Sequence, residues 1–168
     1  TDNPATAPDL GTFGVGGLAT VANASVDGTA DQDFYSITLS SPSQLQITVG
    51  PDAGVYLQGG QTQQCNTGTN TDHTAIRDLQ IDVFSPANPF APLATANATG
   101  LGGFENLNFD AEQAGEYLVR VSGSGADNVQ RYAMTLFVAA LPFLEPQITF
   151  VEPASVDPGV PTTLSVDV

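Results

Sequence analysis

The sequence predicts an all-β protein, an antiparallel β-sandwich of about eight or nine strands. Glycine and proline are abundant, with 17 and 12 residues, and no long helix-forming run is present. Several short segments alternate apolar and polar side chains, which is the periodicity of a strand with one buried face. Hydrophobic residues make up 41% of the 168-residue chain, enough for one core of ordinary size.

The N-terminal part predicts an extended lead-in and then a first strand. Residues 1–12 are polar and contain two prolines, which favours extended backbone. Residues 13–26 are rich in glycine and alternate weakly, and we expect Leu18, Val21 and Val26 to point inward. Asp27-Gly28 then signals a turn.

Two stronger strands follow that turn. The segment 31–40 alternates Tyr35, Ile37 and Leu39 with smaller polar residues, and residues 45–49 alternate again after a Ser-Pro break. We expect these two strands to pair as a hairpin.

The middle of the chain is less regular. Residues 51–77 are mostly Gln, Gly, Thr and Asn and predict a loop longer than the ~12–15 residues usual in compact domains. Residues 79–83 predict a strand, residues 93–98 a short edge strand, and residues 104–109 a strand whose alternation slips by one residue, as at a bulge.

Residues 117–121 and 132–138 give the clearest alternation in the chain. Tyr117, Val119 and Val121 share one face of the first segment, and every second residue of the other, from Tyr132 onward, is apolar. A turn rich in Gly, Ser, Asp and Asn separates them, so we predict a second hairpin.

Charge excludes several classes of partner. The chain has 18 acidic residues, three arginines and no lysine, for a formal net charge of −15. Such a surface repels nucleic acid and anionic membranes. No segment approaches ~18 consecutive apolar residues, so membrane insertion is not expected. We expect a monomer in a secreted, extracellular or cell-surface setting.

Three segments together resemble the bacterial pre-peptidase C-terminal domain. They are Asp31-Gln-Asp-Phe-Tyr-Ser-Ile-Thr-Leu39, Gly115-Glu-Tyr-Leu-Val-Arg-Val-Ser-Gly123 and Arg131-Tyr-Ala-Met-Thr-Leu136. The lead-in 2–7 is also similar to the lead-in of that family. The resemblance covers about residues 1–139. It implies a jelly-roll-like β-sandwich on secreted bacterial proteins, beside peptidase or other hydrolase domains, without catalysis of its own.

The chain changes character after Ala140. Residues 141–147 predict a Pro-rich linker. Residues 148–168 are similar to the start of a bacterial Ig-like repeat and are too few to bury a core. The expected organisation is a sandwich over 1–140, the linker, and a truncated Ig-like module, all excised from a longer polypeptide.

The resemblance also implies a calcium site, since relatives on clostridial collagenases bind calcium and sometimes collagen. The matching positions are Asp2 and Asn3 in the lead-in with Asp31 and Asp33, and Asp27 is a further candidate. Calcium takes six to eight oxygen ligands. In a straight strand, carboxylates two residues apart lie roughly 6–7 Å from each other. The alternative is a structural corner, in which Asp27 turns the chain and Asp31 caps the loop.

Other candidate sites are weaker. Cys65 and His73 lie in the long polar loop, without the orienting group or oxyanion pocket that a nucleophilic enzyme needs. We expect Glu105, Glu112 and Glu116 to be solvated. Exposed aromatics at Tyr56, Phe90 and Phe104 would form a platform for a sugar, although tryptophan is absent.

These observations predict a non-catalytic accessory or spacer module of a secreted bacterial multidomain protein, stabilised by calcium. Its partners are then the neighbouring domains of the same polypeptide. The alternative is a polymer-binding module for an extracellular polysaccharide or a collagen-like protein polymer. Exposure of Tyr56 or Phe90 would favour the alternative.

Overall fold

The computed structural model describes residues 3–28, 30–52, 54–58, 69–125 and 129–142. A 3-10 helix, Pro4–Thr6, precedes eleven strands. The strands are β1 Asp9–Phe13, β2 Leu18–Val26, β3 Gln32–Leu39, β4 Ser43–Pro51, β5 Val55–Gln58, β6 Thr69–Asp72, β7 Arg77–Phe84, β8 Ala94–Ala96, β9 Glu105–Ala111, β10 Gly115–Gly125 and β11 Gln130–Ala139.

Nine of these strands form two facing sheets. The first sheet has the order β1-β3-β10-β7-β8 and the second has the order β2-β11-β4-β9. Every pair is antiparallel except β1 with β3, which is parallel. The prediction of an all-β, jelly-roll-like sandwich is therefore confirmed, and the lead-in contributes a strand of its own.

Both predicted hairpins are wrong. β3 lies in the first sheet and β4 in the second, and β10 and β11 are divided in the same way. β10 instead pairs with β3 and β7, and β11 pairs with β2 and β4. The chain passes from one sheet to the other after β3 and after β10, and the strands of each predicted pair place their apolar faces on the shared core from opposite sides.

The core lies between the sheets and follows the predicted alternation. Tyr117, Val119 and Val121 are buried on one side, and Tyr132, Met134, Leu136 and Val138 meet them from the other. Leu18 is an exception, because it is 58% exposed. A shift in the pairing of β2 with β11 brings Val21 and Ala19 inward, so Leu18 points outward.

A smaller apolar cluster covers the outer side of the first sheet. Phe34, Phe84 and Leu118 pack there, and Ala7 of the lead-in lies against them. Arg120 lies above the Phe84 ring, 5.0 Å from its centroid, and donates to buried Asp82 at 2.7 Å. The lead-in is therefore anchored on this outer face, beside a partly buried ion pair.

The long polar segment contains a two-stranded ribbon, β5 with β6, where the sequence predicts only a loop. Residues 143–168 lie outside the described residues, as do Asp2 and Cys65. The predicted linker and Ig-like module therefore stay predictions. Among the described residues, no helix is both long and apolar enough to cross a membrane.

Candidate functional site

The acidic corner, residues 27–33, is closed by its own backbone. The Asp27 N–H donates a 2.5 Å hydrogen bond to the Asp31 carboxylate. The Asp31 N–H in turn donates to the Gly28 carbonyl at 3.3 Å. The structure therefore brings Asp27 and Asp31 together as a turn and its cap, the arrangement of the structural alternative.

A buried arginine supports this turn from below. Arg77, at the start of β7, is fully buried, and its Nη1 donates to the Gly28 carbonyl. Its backbone N–H donates to the side-chain oxygen of buried Gln130 at 3.2 Å, which ties the start of β7 to β11. One of the three positive side chains of the protein therefore already lies beneath the acidic corner.

Asp33 points into the space between the sheets. Its carboxylate accepts a 2.8 Å hydrogen bond from the Tyr132 hydroxyl, which lies 2.7 Å from the Tyr35 hydroxyl. Burial raises the pKa of both tyrosines, most strongly that of Tyr132. Since Tyr132 donates to Asp33, Tyr35 donates to Tyr132, and the chain of bonds joins β3 of the first sheet to β11 of the second.

Asn3 is used elsewhere. Its side-chain oxygen accepts from the Ala5 N–H at 2.9 Å and caps the 3-10 helix. It lines a groove with Pro86, Phe90 and Leu118 on the outer side of the first sheet. Asp33 points to the opposite, inner side, so the lead-in asparagine and the corner aspartate are not brought together.

The described residues do not assemble the predicted calcium cage, and Asp2, the fifth predicted ligand, lies outside them. Calcium requires several convergent oxygens. In the described part of the chain, no three His, Cys, Asp or Glu side chains are grouped as metal ligands. Asn3, Asp31 and Asp33 each accept a hydrogen bond inside the protein. A guanidinium beneath the turn would also repel a divalent cation.

The prediction that Glu105 is solvated is wrong. Glu105 is only 1% exposed. Its carboxylate accepts from the Ala98 N–H at 2.9 Å, the Thr99 N–H at 2.8 Å and the Thr99 hydroxyl. Burial alone would raise its pKa, but these three donors outweigh burial and lower the pKa. Glu105 therefore braces the loop between β8 and β9.

Of the candidate Cys-His pair, Cys65 lies outside the described residues. The backbone of His73 is engaged in the fold. Its N–H donates to the Gly54 carbonyl at 3.2 Å, and its carbonyl accepts from the Gln130 side chain at 3.0 Å.

Comparison with known proteins places this fold in a family. A family model for the bacterial pre-peptidase C-terminal domain matches residues 31–123. The crystal structure of the pre-peptidase C-terminal domain of collagenase from Bacillus anthracis is 16% identical, with a TM-score of 0.45, over 78% of this chain and 96% of that one. PliG of Aeromonas hydrophila, a periplasmic inhibitor of g-type lysozyme, is 14% identical, with a TM-score of 0.45, over 77% and 98%.

No curated protein matches the chain. The family match nevertheless spans more than half of the 168 residues, from the acidic corner to β10. The chain belongs to the bacterial pre-peptidase C-terminal domain family.

Proposed function

We propose that this chain is a non-catalytic accessory module of a secreted bacterial multidomain protein, with an acidic corner that closes without a metal. Domains of this family are non-catalytic accessory domains that occur in secreted bacterial proteins. The proposed partners are the neighbouring domains of the same polypeptide, and the module acts as a monomer.

One observation supports this proposal above the others. Several acidic side chains serve the fold through internal hydrogen bonds: Asp31 caps a turn, Asp33 joins the sheets, Glu105 braces a loop and buried Asp82 pairs with Arg120. General acid–base chemistry needs titratable groups that face a cleft and reach a substrate. Carboxylates that already accept hydrogen bonds from donors inside the protein are poor candidates for general acids or bases.

A turnover assay tests the non-catalytic assignment. The full 168-residue chain is incubated with casein, gelatin and a soluble polysaccharide, and products are measured over time. We expect no product above a buffer blank. Hydrolysis that persists after repurification and is abolished by Asp31→Asn, Asp33→Asn or His73→Ala, in a variant that still folds, would show that the module is an enzyme.

Polymer binding is the second candidate function, and exposed aromatic side chains favour it. Phe90 is 90% exposed and Phe104 is 57% exposed. Aromatic rings that remain in solvent on a folded domain are candidates for contact with a ligand. The side chain of Tyr56 lies outside the described residues.

A further inference from the structure

The outer faces of the two sheets differ in charge. The outer side of the first sheet carries Asp78, Asp82 and Glu116 together with Arg120. Across the outward positions of β2, β4, β9 and β11, the charged side chains are Asp110 and Arg131 alone, and both lie at the margins. In a chain of net charge −15, the middle of this face is uncharged.

Hydroxyl and amide side chains form regular rows on this second face. The strand register places one row straight across all four strands, and we call it the threonine row: Thr20, Thr135, Thr48 and Asn106. The next row in the same register is Leu18, Phe137, Gln46 and Asn108. Neighbouring strands lie about 4.8 Å apart, so the polar groups are closely and evenly spaced.

Hydrogen bonds between polar side chains of β4 and β9 orient part of this face. Gln46 donates to Gln44 at 2.8 Å, and Gln44 donates to Asp110 at 2.8 Å. The Thr48 hydroxyl donates to the Asn106 side-chain oxygen at 2.8 Å. Each amide and hydroxyl has more hydrogen-bonding capacity than these bonds use, so the remainder faces solvent. A ligand on this face therefore meets donors and acceptors that are already ordered.

A fixed aromatic ring lies at one end of the face. A Cβ placed on Gly50 would lie 2.1 Å from the Phe104 ring, so the ring occupies the place of the missing side chain. The ring packs on β4 at Gly50, and Phe104 is nevertheless 57% exposed. At the other end, Phe137 is 39% exposed beside Leu18. Ala133 is in register with Gly50, and Phe137 follows Ala133 by four positions in β11, about 13 Å along the strand.

We propose that the outer face of the second sheet binds a neutral polysaccharide chain. Ordered amides and hydroxyls match the hydroxyl groups of a sugar, and the flanking rings offer apolar surfaces to sugar C–H groups. The absence of charge in the middle of the face matches an uncharged polymer, whereas the rest of this acidic protein would repel an anionic one. A protein partner is less well matched, because protein interfaces centre on a contiguous apolar core and here the apolar residues lie at the ends.

This inference rests on the polymer-binding alternative, and affinity electrophoresis of the full chain tests it. The chain is run in native gels that contain β-glucan, galactomannan or soluble starch, with polygalacturonate as the anionic comparison. We expect retardation by at least one neutral polymer and none by polygalacturonate. Phe104→Ala removes the ring and Thr135→Glu introduces a charge in the threonine row, so each should weaken binding about tenfold or more.

Leu93→Ala is the matched control, since it removes an apolar side chain that is 51% exposed beside β8 of the first sheet and should leave retardation unchanged. Thermal unfolding of each variant checks that it is folded. The proposal is overturned if no neutral polymer retards the chain, or if Phe104→Ala and Thr135→Glu both bind as well as the unaltered protein. It is also overturned if light scattering shows a dimer that Thr135→Glu dissociates, because the face would then bind a second copy. The turnover assay is independent of all these outcomes.

Discussion

The Tyr132 hydroxyl donates a 2.8 Å hydrogen bond to the Asp33 carboxylate and thereby joins the two sheets of the sandwich. Asp33 stands at the start of β3 and Tyr132 near the start of β11, 99 positions later. Tyr35 extends the chain of bonds at 2.7 Å. A carboxylate predicted to bind calcium therefore satisfies a buried hydroxyl of the core.

Tyr132→Phe should lower the free energy of unfolding by about 1–3 kcal/mol, because it removes a donor from Asp33 and an acceptor from Tyr35. Urea unfolding at neutral pH measures the loss. Tyr117→Phe is the matched control, since its hydroxyl bonds only the Gln113 carbonyl, at 2.9 Å, near a turn. Equal losses in the two variants would mean that the bond between the sheets has no special weight.

The same two tyrosines should make the fold sensitive to alkali. Burial raises the pKa of Tyr35 and Tyr132 above the ordinary 10.0, so the unfolded chain loses protons first. Their stabilisation is fully present below pH 10 and falls above it, by at most about 1.4 kcal/mol per pH unit for each tyrosine until the pH reaches that tyrosine's raised pKa. Urea midpoints measured across this range should fall less steeply in Tyr132→Phe; an unchanged slope would contradict the assignment.

Glu105 should contribute stability that acid removes. Its pKa is lowered in the folded state, so its contribution is present above the ordinary value of 4.5 and is lost as the pH falls through the lowered pKa. Glu105→Gln places an N–H group against the loop N–H donors and should cost about 1–3 kcal/mol at neutral pH. Exposed Glu112→Gln is the control and should be silent. A variant as stable as the control would show that the loop does not need this carboxylate.

The burial pattern of the strands was predictable, but their pairing was not. Alternation in 117–121 and 132–138 identifies the buried face because side-chain direction depends only on position within a strand. A polar, glycine-rich turn, however, is found both in hairpins and in connections that cross between sheets, so it does not distinguish them. The sequence therefore could not show that β10 pairs with β3 and β7 rather than with β11.

The candidate site was predictable to a similar degree. The sequence identifies an acidic corner before β3, and Asp27 and Asp31 do form its turn. The side chains that donate hydrogen bonds to it come from distant positions, Arg77 and Tyr132, which no local pattern connects to it. The burial of Glu105 was not predicted for a similar reason, because two of its three donors are backbone N–H groups of a loop, which leave no trace in the sequence.

Thermal unfolding of the full chain in calcium and then in chelator tests the central claim most directly, namely that the acidic corner closes without a metal. We predict the same unfolding temperature in both conditions, since the Gly28 carbonyl and the Asp31 carboxylate already have internal donors. A calcium ligand at 100 times its dissociation constant would add about 2.7 kcal/mol of stability. A calcium-dependent rise of that size, lost in Asp31→Ala and Asp33→Ala, would contradict the account.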